Sequence, residues 1–411
     1  MNVDNSTGSV IGHNVAVANG TMHRRGKWMI VQSSGSSTRG WLYRIGAIVL
    51  VLAVGILYLV VTVHVPDLLG RIVDETFGTT PGIQELAVLA TPFFLTGLAV
   101  LIPLRIGLWN IGGEGQFFAG AWMATGFAFV FPRLPGPILI VLMLIAGTVG
   151  GAVWAVIPAI AKAYLNVNEI ITTLMLDLAV VFWVDYWISG PWHYTQSQGG
   201  VLESRFIPQQ AHLPAIAVAG GVDSGLAIAV LITLVVGIVL KYTIAGYRSQ
   251  IVGAGQRVAS FAGMRAKPTV IVTLLVGAAL AGIGGVLQLI GNSYQLTPGL
   301  SNNTGYLGIA VAVVAGGTVA GIVAMSVLLA VIMSAGQVVQ LYGVSSDDVF
   351  ILIGLLLILS TIATVLNRYK LVRTSDLDDS STTRDGKSTT KAVSIALSEG
   401  QEAGVAAGGA R

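Results

Sequence analysis

Ten apolar segments, separated by polar loops, make up about half of the chain. They lie near residues 43–64, 84–104, 112–131, 137–161, 168–188, 224–241, 268–291, 305–318, 321–340 and 349–366. A helix needs about 20 mostly apolar residues to cross the hydrocarbon of a bilayer. The pattern therefore predicts an all-α polytopic membrane protein with about 8–10 transmembrane helices. Because segment 112–131 contains a polar motif and segment 305–318 is short, we expect one or two broken or re-entrant helices.

The polar segments divide the chain into three parts. Residues 1–42 form a polar N-terminal tail without the apolar core and cleavage site of a signal peptide, so we expect the first span to be retained. Residues 43–366 form the transmembrane domain, with an outer loop at 190–222 and a loop at 242–268 on the opposite side. Residues 367–411 are rich in Ser, Thr, Asp and Gly, which predicts a disordered tail. The two halves around the outer loop each contain one broken-looking span, as a duplicated fold would.

Basic residues are distributed unevenly over the predicted loops. With both termini on one side, the segments on that side contain 19 of the 22 lysines and arginines. The opposite loops contain the remaining three, Arg71, Arg133 and Arg205. Cytoplasmic loops of membrane proteins carry an excess of Lys and Arg. We therefore predict a multi-pass protein of the cytoplasmic membrane with both termini in the cytoplasm.

The composition supports a membrane location and narrows the function. Hydrophobic residues make up 54% of the chain and charged residues 10%, whereas a soluble domain carries about 25% charge. The chain has 52 glycines, and small residues let membrane helices pack closely. It has no cysteine, which excludes disulfides and thiolate metal sites. The basic residues are not concentrated on one face, as nucleic-acid binding would require, so we predict lipid contact and no nucleic acid.

The stretch GLWNIGGEGQFFAGA at 107–121 places polar side chains and glycines inside an apolar tract. Asn110, Glu114 and Gln116 would line a solute path, or they would satisfy backbone groups that are freed where glycines interrupt a helix. A carboxylate at membrane depth costs roughly 2.5–3.5 kcal/mol even on lenient insertion scales. Glu114 therefore needs a partner or water.

Solute transport requires an energy source, and the residues leave two alternatives. Residues 386–388, Gly-Lys-Ser, resemble the end of a phosphate-binding loop, but Ser381 stands where that motif requires glycine. ATP and Mg would then be bound by a separate ATPase, with no cofactor or metal in this chain. An ion gradient would instead use ionisable residues within the spans, namely Glu114, Asp177 and Asp185.

The loop at 242–268 bears on that choice. It contains a short predicted helix near 254–263 with several small residues around it. One interpretation is a basic connector between two spans. The other is a docking helix whose small residues fit a groove on a partner and carry motion between subunits.

Three stretches carry a resemblance to a known family: GLWNIGGEGQ at 107–116, VNEIITTLML at 167–176 and AGYRSQIVGAGQRVASFAGM at 245–264. A fourth, GYLGIAVAVVAGG at 305–317, matches more loosely. The chain resembles the permease subunits of ATP-binding-cassette importers, in the branch for branched-chain amino acids, simple sugars and nucleosides. Within that branch it is most like the nucleoside and simple-sugar permeases. The resemblance covers roughly residues 43–366.

The resemblance implies a transport subunit that is not itself an enzyme. Two permease chains, identical or related, would form the path, a separate ATPase would dock on residues 246–264, and an extracytoplasmic solute-binding protein would deliver cargo to the outer loops. The substrate-path positions would be Trp109, Asn110, Glu114, Gln116 and Asp177. The ATPase-coupling positions would be Gly246, Tyr247, Arg248, Gly253, Ala262 and Gly263.

The chain departs from the family pattern at Trp109, Asp177, Gln256 and Phe261, where the family usually has Phe, Asn, Asn and Tyr, and at Gln250, near which the family usually has Arg. Asp177 adds a charge within a span, which would change the substrate preference or pair with a neighbour. Two other classes of function stay open on the sequence, an ion-coupled secondary transporter and a non-transporting membrane scaffold.

Other polar residues have simpler expected roles. Asn168 is predicted to cap a helix, with Glu169 in its first turn. His193 and His212 are expected to be ordinary loop residues, and Trp187 and Trp192 to lie at the membrane interface. Four amides near outer helix ends would line the path or bond between helices: Gln288, Asn292, Gln337 and Gln340.

Overall fold

Helices account for almost all of the architecture. The computed structural model describes residues 28–32, 37–63, 67–195, 202–216 and 222–373. In chain order the helices are α1 (Ser37–Val63), α2 (Leu68–Val73), α3 (Thr80–Leu104), α4 (Gly113–Val130), α5 (Gly136–Trp154), α6 (Val156–Leu165), α7 (Glu169–Ser189), α8 (Ser224–Tyr242), α9 (Ile244–Ala254), α10 (Gln256–Phe261), α11 (Ala266–Gln288), α12 (Thr304–Val314), α13 (Val319–Gln340) and α14 (Ser346–Arg368). Single π-helical turns follow α2 at Asp74–Gly78 and α11 at Leu289–Ser293, and a 3₁₀ turn spans Gln209–Ala211.

The strands are short and form two separate pairs. Strand β1 (Trp28–Gln32) pairs antiparallel with β4 (Tyr369–Arg373), with Trp28 opposite Arg373. Strand β2 (Ala215–Ile216) pairs antiparallel with β3 (Val222–Asp223) in the outer loop.

The chain divides into two units. One comprises Met1–Arg39 and Val365–Arg411 and contains the β1–β4 pair; the other, Gly40–Thr364, contains the bundle of long helices. β4 lies within the segment 367–411 that was predicted to be disordered, while the rest of that tail, from 374 onward, and residues 1–27 lie outside the described residues.

The predicted all-α polytopic architecture is confirmed. Within the described part of the chain, seven helices are long and apolar enough to cross a membrane, and each predicted apolar segment corresponds to a helix. Segment 137–161 is divided at Ala155 into α5 and α6. The loop at 242–268 contains α9 in addition to the predicted short helix, which is α10.

Helix α3 lies at the centre of the bundle. In its most apolar stretch 83% of the residues are buried, whereas only 17% are buried in α1 and 22% in each of α7 and α8. The peripheral helices therefore present the apolar surface that lipid would cover.

Close helix packing depends on glycines where α4, α5 and α11 cross. A Cβ atom on Gly282 would lie 2.3 Å from the carbonyl oxygen of Gly147, and one on Gly120 would lie 2.4 Å from the Cα of Gly282. Gly151 and Gly285 make similar approaches to neighbouring backbone. Small residues at helix contacts allow the van der Waals packing that holds membrane helices together, because lipid supplies no hydrophobic driving force between them.

Candidate substrate path

Two non-helical segments enter the bundle from opposite ends and meet inside it. Residues 105–112 follow α3 and turn back along it, since the Asn110 side-chain amide donates to the carbonyl oxygen of Ala99 at 3.3 Å. Residues 294–303 follow α11 and begin in the outer loop, where the Ile207 amide donates to the Tyr294 carbonyl at 2.8 Å. The first segment leads into α4 and the second into α12. Helices α4 and α12, which correspond to the two segments predicted to be broken or re-entrant, are thus each preceded by a non-helical segment.

The N-termini of α4 and α12 lie in direct contact. A Cβ atom on Gly305 would lie 2.3 Å from the Glu114 backbone nitrogen, and one on Gly113 would lie 2.9 Å from the Gly305 carbonyl oxygen. Helix α12 has 11 residues, about 16 Å at 1.5 Å per residue, which is too short to cross a bilayer alone. Both N-termini therefore end within the bundle.

The Glu114 carboxylate closes this junction. Its Oε2 accepts the backbone N–H of Gly305 at 2.9 Å, and its Oε1 accepts the hydroxyl of Ser301. Glu114 is 6% exposed. Helix N-termini carry unsatisfied N–H groups and a partial positive charge that favours anions. The buried carboxylate satisfies donors of α12 while lying in the first turn of α4.

Asp177 joins α7 to the same junction. Its Oδ1 accepts the Gly115 backbone N–H at 2.8 Å, and the side chain is 1% exposed. The other oxygen, Oδ2, has no hydrogen-bond partner among the described residues, although Tyr306 and Glu114 lie close enough to interact with this carboxyl group. In the described part of the chain, no three His, Asp or Glu side chains are grouped as a metal site requires.

Asn110 and Gln116 bind each other. Each side-chain amide donates to the other's oxygen at 2.9 Å, and the two residues are 0% and 2% exposed. This reciprocal pair holds the break before α4 against its first turn. In this conformation neither side chain offers a free polar group to a solute.

Trp109 is placed differently from the other motif residues. It is 36% exposed, and its backbone N–H donates to Oε1 of Glu169 at 3.3 Å. The other oxygen of Glu169 lies 2.8 Å from the Lys162 ammonium, an ion pair that sequence reasoning missed. Asn168 caps α7 as predicted, accepting the Ile170 N–H at 2.9 Å.

The proposed coupling stretch is anchored on the end of α3. A Cβ atom on Gly253 would lie 2.2 Å from the Arg105 carbonyl oxygen, and one on Gly246 would lie 2.1 Å from the Leu240 carbonyl oxygen. These two glycines are therefore required for contacts within this chain. Tyr247 is 59% exposed, and Arg248 and the helix end at Ala262 and Gly263 are also exposed.

A cavity of about 340 Å³, which we call the amide cavity, lies at the C-terminal end of α13. Its polar lining consists of Asn302, from the segment before α12, with Gln337 and Gln340 from α13. Gln337 also donates to Glu85 at 3.0 Å. Sequence reasoning singled out the two glutamines but missed Asn302 and the aromatic wall provided by Phe350. The only sequence signal for Asn302 was that it lies close to the family stretch at 305–317.

Four tryptophans form one cluster where the outer loop meets α4 and α7: Trp122, Trp183, Trp187 and Trp192. The rings of Trp187 and Trp192 are 4.6 Å apart between centroids, and Trp192 is 8% exposed. Trp192 thus packs against the other three rings inside the protein, and the expected position of Trp187 and Trp192 at the membrane interface stays a prediction.

Comparison with known proteins gives one family. Residues 82–361 match the family described as Branched-chain amino acid transport system / permease component. The glucose ABC transporter permease protein of Haloferax volcanii is 32% identical, over 77% of this chain and 86% of that protein. The guanosine ABC transporter permease protein of Bacillus subtilis is 30% identical and the nucleoside ABC transporter permease protein of Lactococcus lactis 28%, each over 69% of this chain and 82% of the relative. No solved structure matches the chain.

Proposed function

Because the chain belongs to the family of branched-chain amino acid transport system permease components, we propose that it forms the membrane path of an ATP-driven importer for nucleosides or simple sugars. The observation that carries the substrate class is the chemistry of the path. Inside the bundle, the N-terminus of α12 is occupied by the chain's own Glu114 carboxylate and that of α4 by the Asp177 carboxylate, so neither is open to an anionic solute. The amide cavity presents side-chain amide groups and one aromatic ring, which suit an uncharged, hydroxyl-rich solute.

Both termini face the cytoplasm in this proposal. The basic residues that fix the orientation lie at the C-terminal ends of α6 and α8 and in the segment between α8 and α11, and include Lys162, Lys241, Arg248, Arg265 and Lys267. The positive-inside rule favours the cytoplasm for these loops. The amide cavity then opens toward the outside, where a solute-binding protein would release cargo.

A separate ATPase would dock on α9 and α10. The exposed Tyr247, with Arg248 beside it, offers a docking surface, and Gly253 rests on the Arg105 carbonyl where the first broken segment begins. Movement of α9 would thereby reach residues 105–112 and, through them, the Glu114 junction. This chain would contribute to alternating access by rearranging the two breaks, and a second permease chain would complete the path.

Reconstituted uptake tests the function directly. The chain is placed in proteoliposomes with the ATPase and solute-binding protein of its own transport system, and uptake of labelled nucleosides, hexoses and pentoses is measured. We expect uptake of one of these classes that requires ATP hydrolysis and continues when an uncoupler is added. Uptake that persists without ATP and stops with the uncoupler would instead establish an ion-coupled transporter. Absence of any ATP-dependent uptake would refute the importer proposal.

A further inference from the structure

A second cavity, of about 560 Å³, lies at the opposite end of α13 from the amide cavity, between α3, α8, α9 and α13. Most of its wall is apolar and belongs to helices that would lie in the membrane. The apolar lining includes Phe94, Val230, Leu234, Ile238, Val319 and Val323. Its rim carries two basic side chains, Arg105 at the end of α3 and Lys241 in the last turn of α8.

The rim has a net positive potential. No aspartate or glutamate lines the cavity, and within the described part of the chain neither Arg105 nor Lys241 forms an ion pair with a carboxylate. Helix α13 begins at the same rim, with Thr318 as its N-cap, and adds the partial positive charge of a helix N-terminus. Arg105 is half-buried and donates to the Leu240 carbonyl at 3.4 Å, which fixes its guanidinium beside the cavity.

The occupant must combine an anion with a long apolar part. Lys241 and Val230 both line the cavity and are 11 residues apart on α8, which corresponds to about 16 Å along the helix. A soluble anion would contact only the rim and leave this wall open to the hydrocarbon. Basic pockets between membrane helices on the cytoplasmic side bind the headgroups of anionic lipids.

We propose that this cavity binds one anionic phospholipid of the cytoplasmic leaflet. Its phosphate lies between Arg105 and Lys241, and an acyl chain runs along α8 and α13. The inference rests on the proposed orientation, which places this rim at the cytoplasmic surface. Gln250 of α9 also lines the cavity, so the bound lipid contacts the coupling stretch and holds it against α3.

Lipid binding is measured by native mass spectrometry on the full-length chain, released from nanodiscs with the subunits that accompany it. Phosphatidylglycerol is compared with phosphatidylcholine of the same acyl chains. We expect one retained phosphatidylglycerol, bound at least about tenfold more tightly than phosphatidylcholine. The double variant Arg105→Gln, Lys241→Gln should weaken phosphatidylglycerol binding about 30-fold. The matched variant Arg265→Gln, Lys267→Gln removes the same charge outside the cavity and should change binding less than about twofold.

A second pair of variants tests the apolar wall without changing charge. Val323→Trp fills the cavity and should remove the bound lipid, whereas Leu231→Trp, at an exposed position of α8 outside the lining, should retain it. The proposal is overturned if the two lipids bind equally, or if the control pair weakens binding as much as the cavity pair. It is also overturned if millimolar inorganic phosphate displaces the lipid while Val323→Trp has no effect, since that result describes a free-anion site. None of these measurements requires transport, so failure here leaves the importer proposal standing and failure of uptake leaves the lipid result standing.

Discussion

Glu114 shows how a carboxylate is held at membrane depth. Its two oxygens accept the Gly305 N–H and the Ser301 hydroxyl, and the residue lies in the first turn of α4, where the helix dipole favours negative charge. The cost of taking the carboxylate out of water is thus offset by donors that would otherwise be unsatisfied. Its role as a path-lining residue stays a prediction.

Replacing Glu114 separates a structural role from a transport role. Glu114→Ala leaves the Gly305 N–H and Ser301 hydroxyl without their acceptor, and we expect a loss of about 2–3 kcal/mol in stability. Glu114→Gln keeps the shape and can accept from Gly305 while donating to Ser301, so we expect a loss below about 1 kcal/mol. Thermal unfolding of the purified variants in detergent measures both effects. Equal damage in the two variants would contradict this account, and a stable Glu114→Gln that fails in uptake would assign the charge to transport.

Asp177 makes one hydrogen bond and leaves its other oxygen unpaired within the described residues. Asp177→Asn preserves an oxygen for the Gly115 N–H and removes a buried charge, so we expect thermal stability to be unchanged or higher. Asp177→Ala removes the side-chain acceptor of that N–H and should be destabilising by about 1–3 kcal/mol. A marked fall in melting temperature for Asp177→Asn would show that the charge itself is required for the fold.

Helix contacts depend on where glycines meet backbone. In α11, Gly282 lies against the backbone of α5, whereas a Cβ atom on Gly284 would come no closer than 3.5 Å to Leu95 and Phe117. The two glycines are two residues apart on one helix but have different tolerance for a side chain.

Alanine substitution at these positions gives a matched comparison. Gly282→Ala forces α5 and α11 apart, and we expect a loss of about 1–3 kcal/mol in stability. Gly284→Ala makes only ordinary van der Waals contacts and should change stability by less than about 0.5 kcal/mol. Melting temperatures of the two variants, measured in the same detergent, check this, and equal losses would contradict the packing argument.

The outer loop packs onto the end of α11 through His212. Its ring stacks on Tyr294 with centroids 3.9 Å apart, and burial lowers the pKa of His212 below its usual 6.5. The folded loop therefore disfavours the protonated ring, while the unfolded loop accepts the proton as the pH falls below 6.5. The contribution of neutral His212 to the stability of the loop is therefore full above about pH 6.5 and decreases as the pH falls below it.

This effect predicts acid sensitivity of the outer loop. Protease resistance of residues 202–216 should fall between about pH 7.5 and pH 5.5, and His212→Gln should remove that dependence. Burial raises the pKa of the neighbouring Asp223 above 3.8, so its contribution has the opposite sign and the variant isolates the histidine. A loop that is equally resistant at both pH values in the unsubstituted protein would contradict the prediction.

At the scale of the whole molecule, the proposed coupling stretch and the proposed substrate path are joined through α3. Gly253 contacts the Arg105 carbonyl, and residues 105–112 then connect α3 to Glu114. A bulky residue at Gly246 or Gly253 would collide with this chain's own backbone, so the smallest substitution gives the cleanest test of coupling.

Gly253→Ala should separate α9 from the end of α3 and uncouple ATP hydrolysis from uptake. We expect the reconstituted transporter to keep its ATPase activity while uptake falls at least about fivefold. Ala254→Ser, at the adjacent exposed position, is the control and should leave both rates unchanged. Unaltered uptake in Gly253→Ala would exclude this contact from the coupling mechanism.

The sequence by itself determined the helical spans and their loops. A helix in lipid must satisfy its own backbone hydrogen bonds and cover about 30 Å of hydrocarbon, so apolar length alone located the helices. The N-cap at Asn168 and the break at 105–112 followed from local chemistry, since capping and glycine act within a few residues. The break before α12 was indicated only by the short length of the apolar segment 305–318. No comparable signal in the sequence indicated that segment 137–161 is divided at Ala155.

Only the tertiary structure decided which polar groups meet. Glu114 and Gly305 are 191 residues apart, and Gly115 and Asp177 are 62 apart, so no local pattern could pair them. The same holds for Lys162 with the Trp109 backbone through Glu169, and for Asn302 with Gln337 in the amide cavity. Burial removes water as an alternative partner, and each polar group in the bundle must therefore find whichever donor or acceptor the packing of distant helices brings to it.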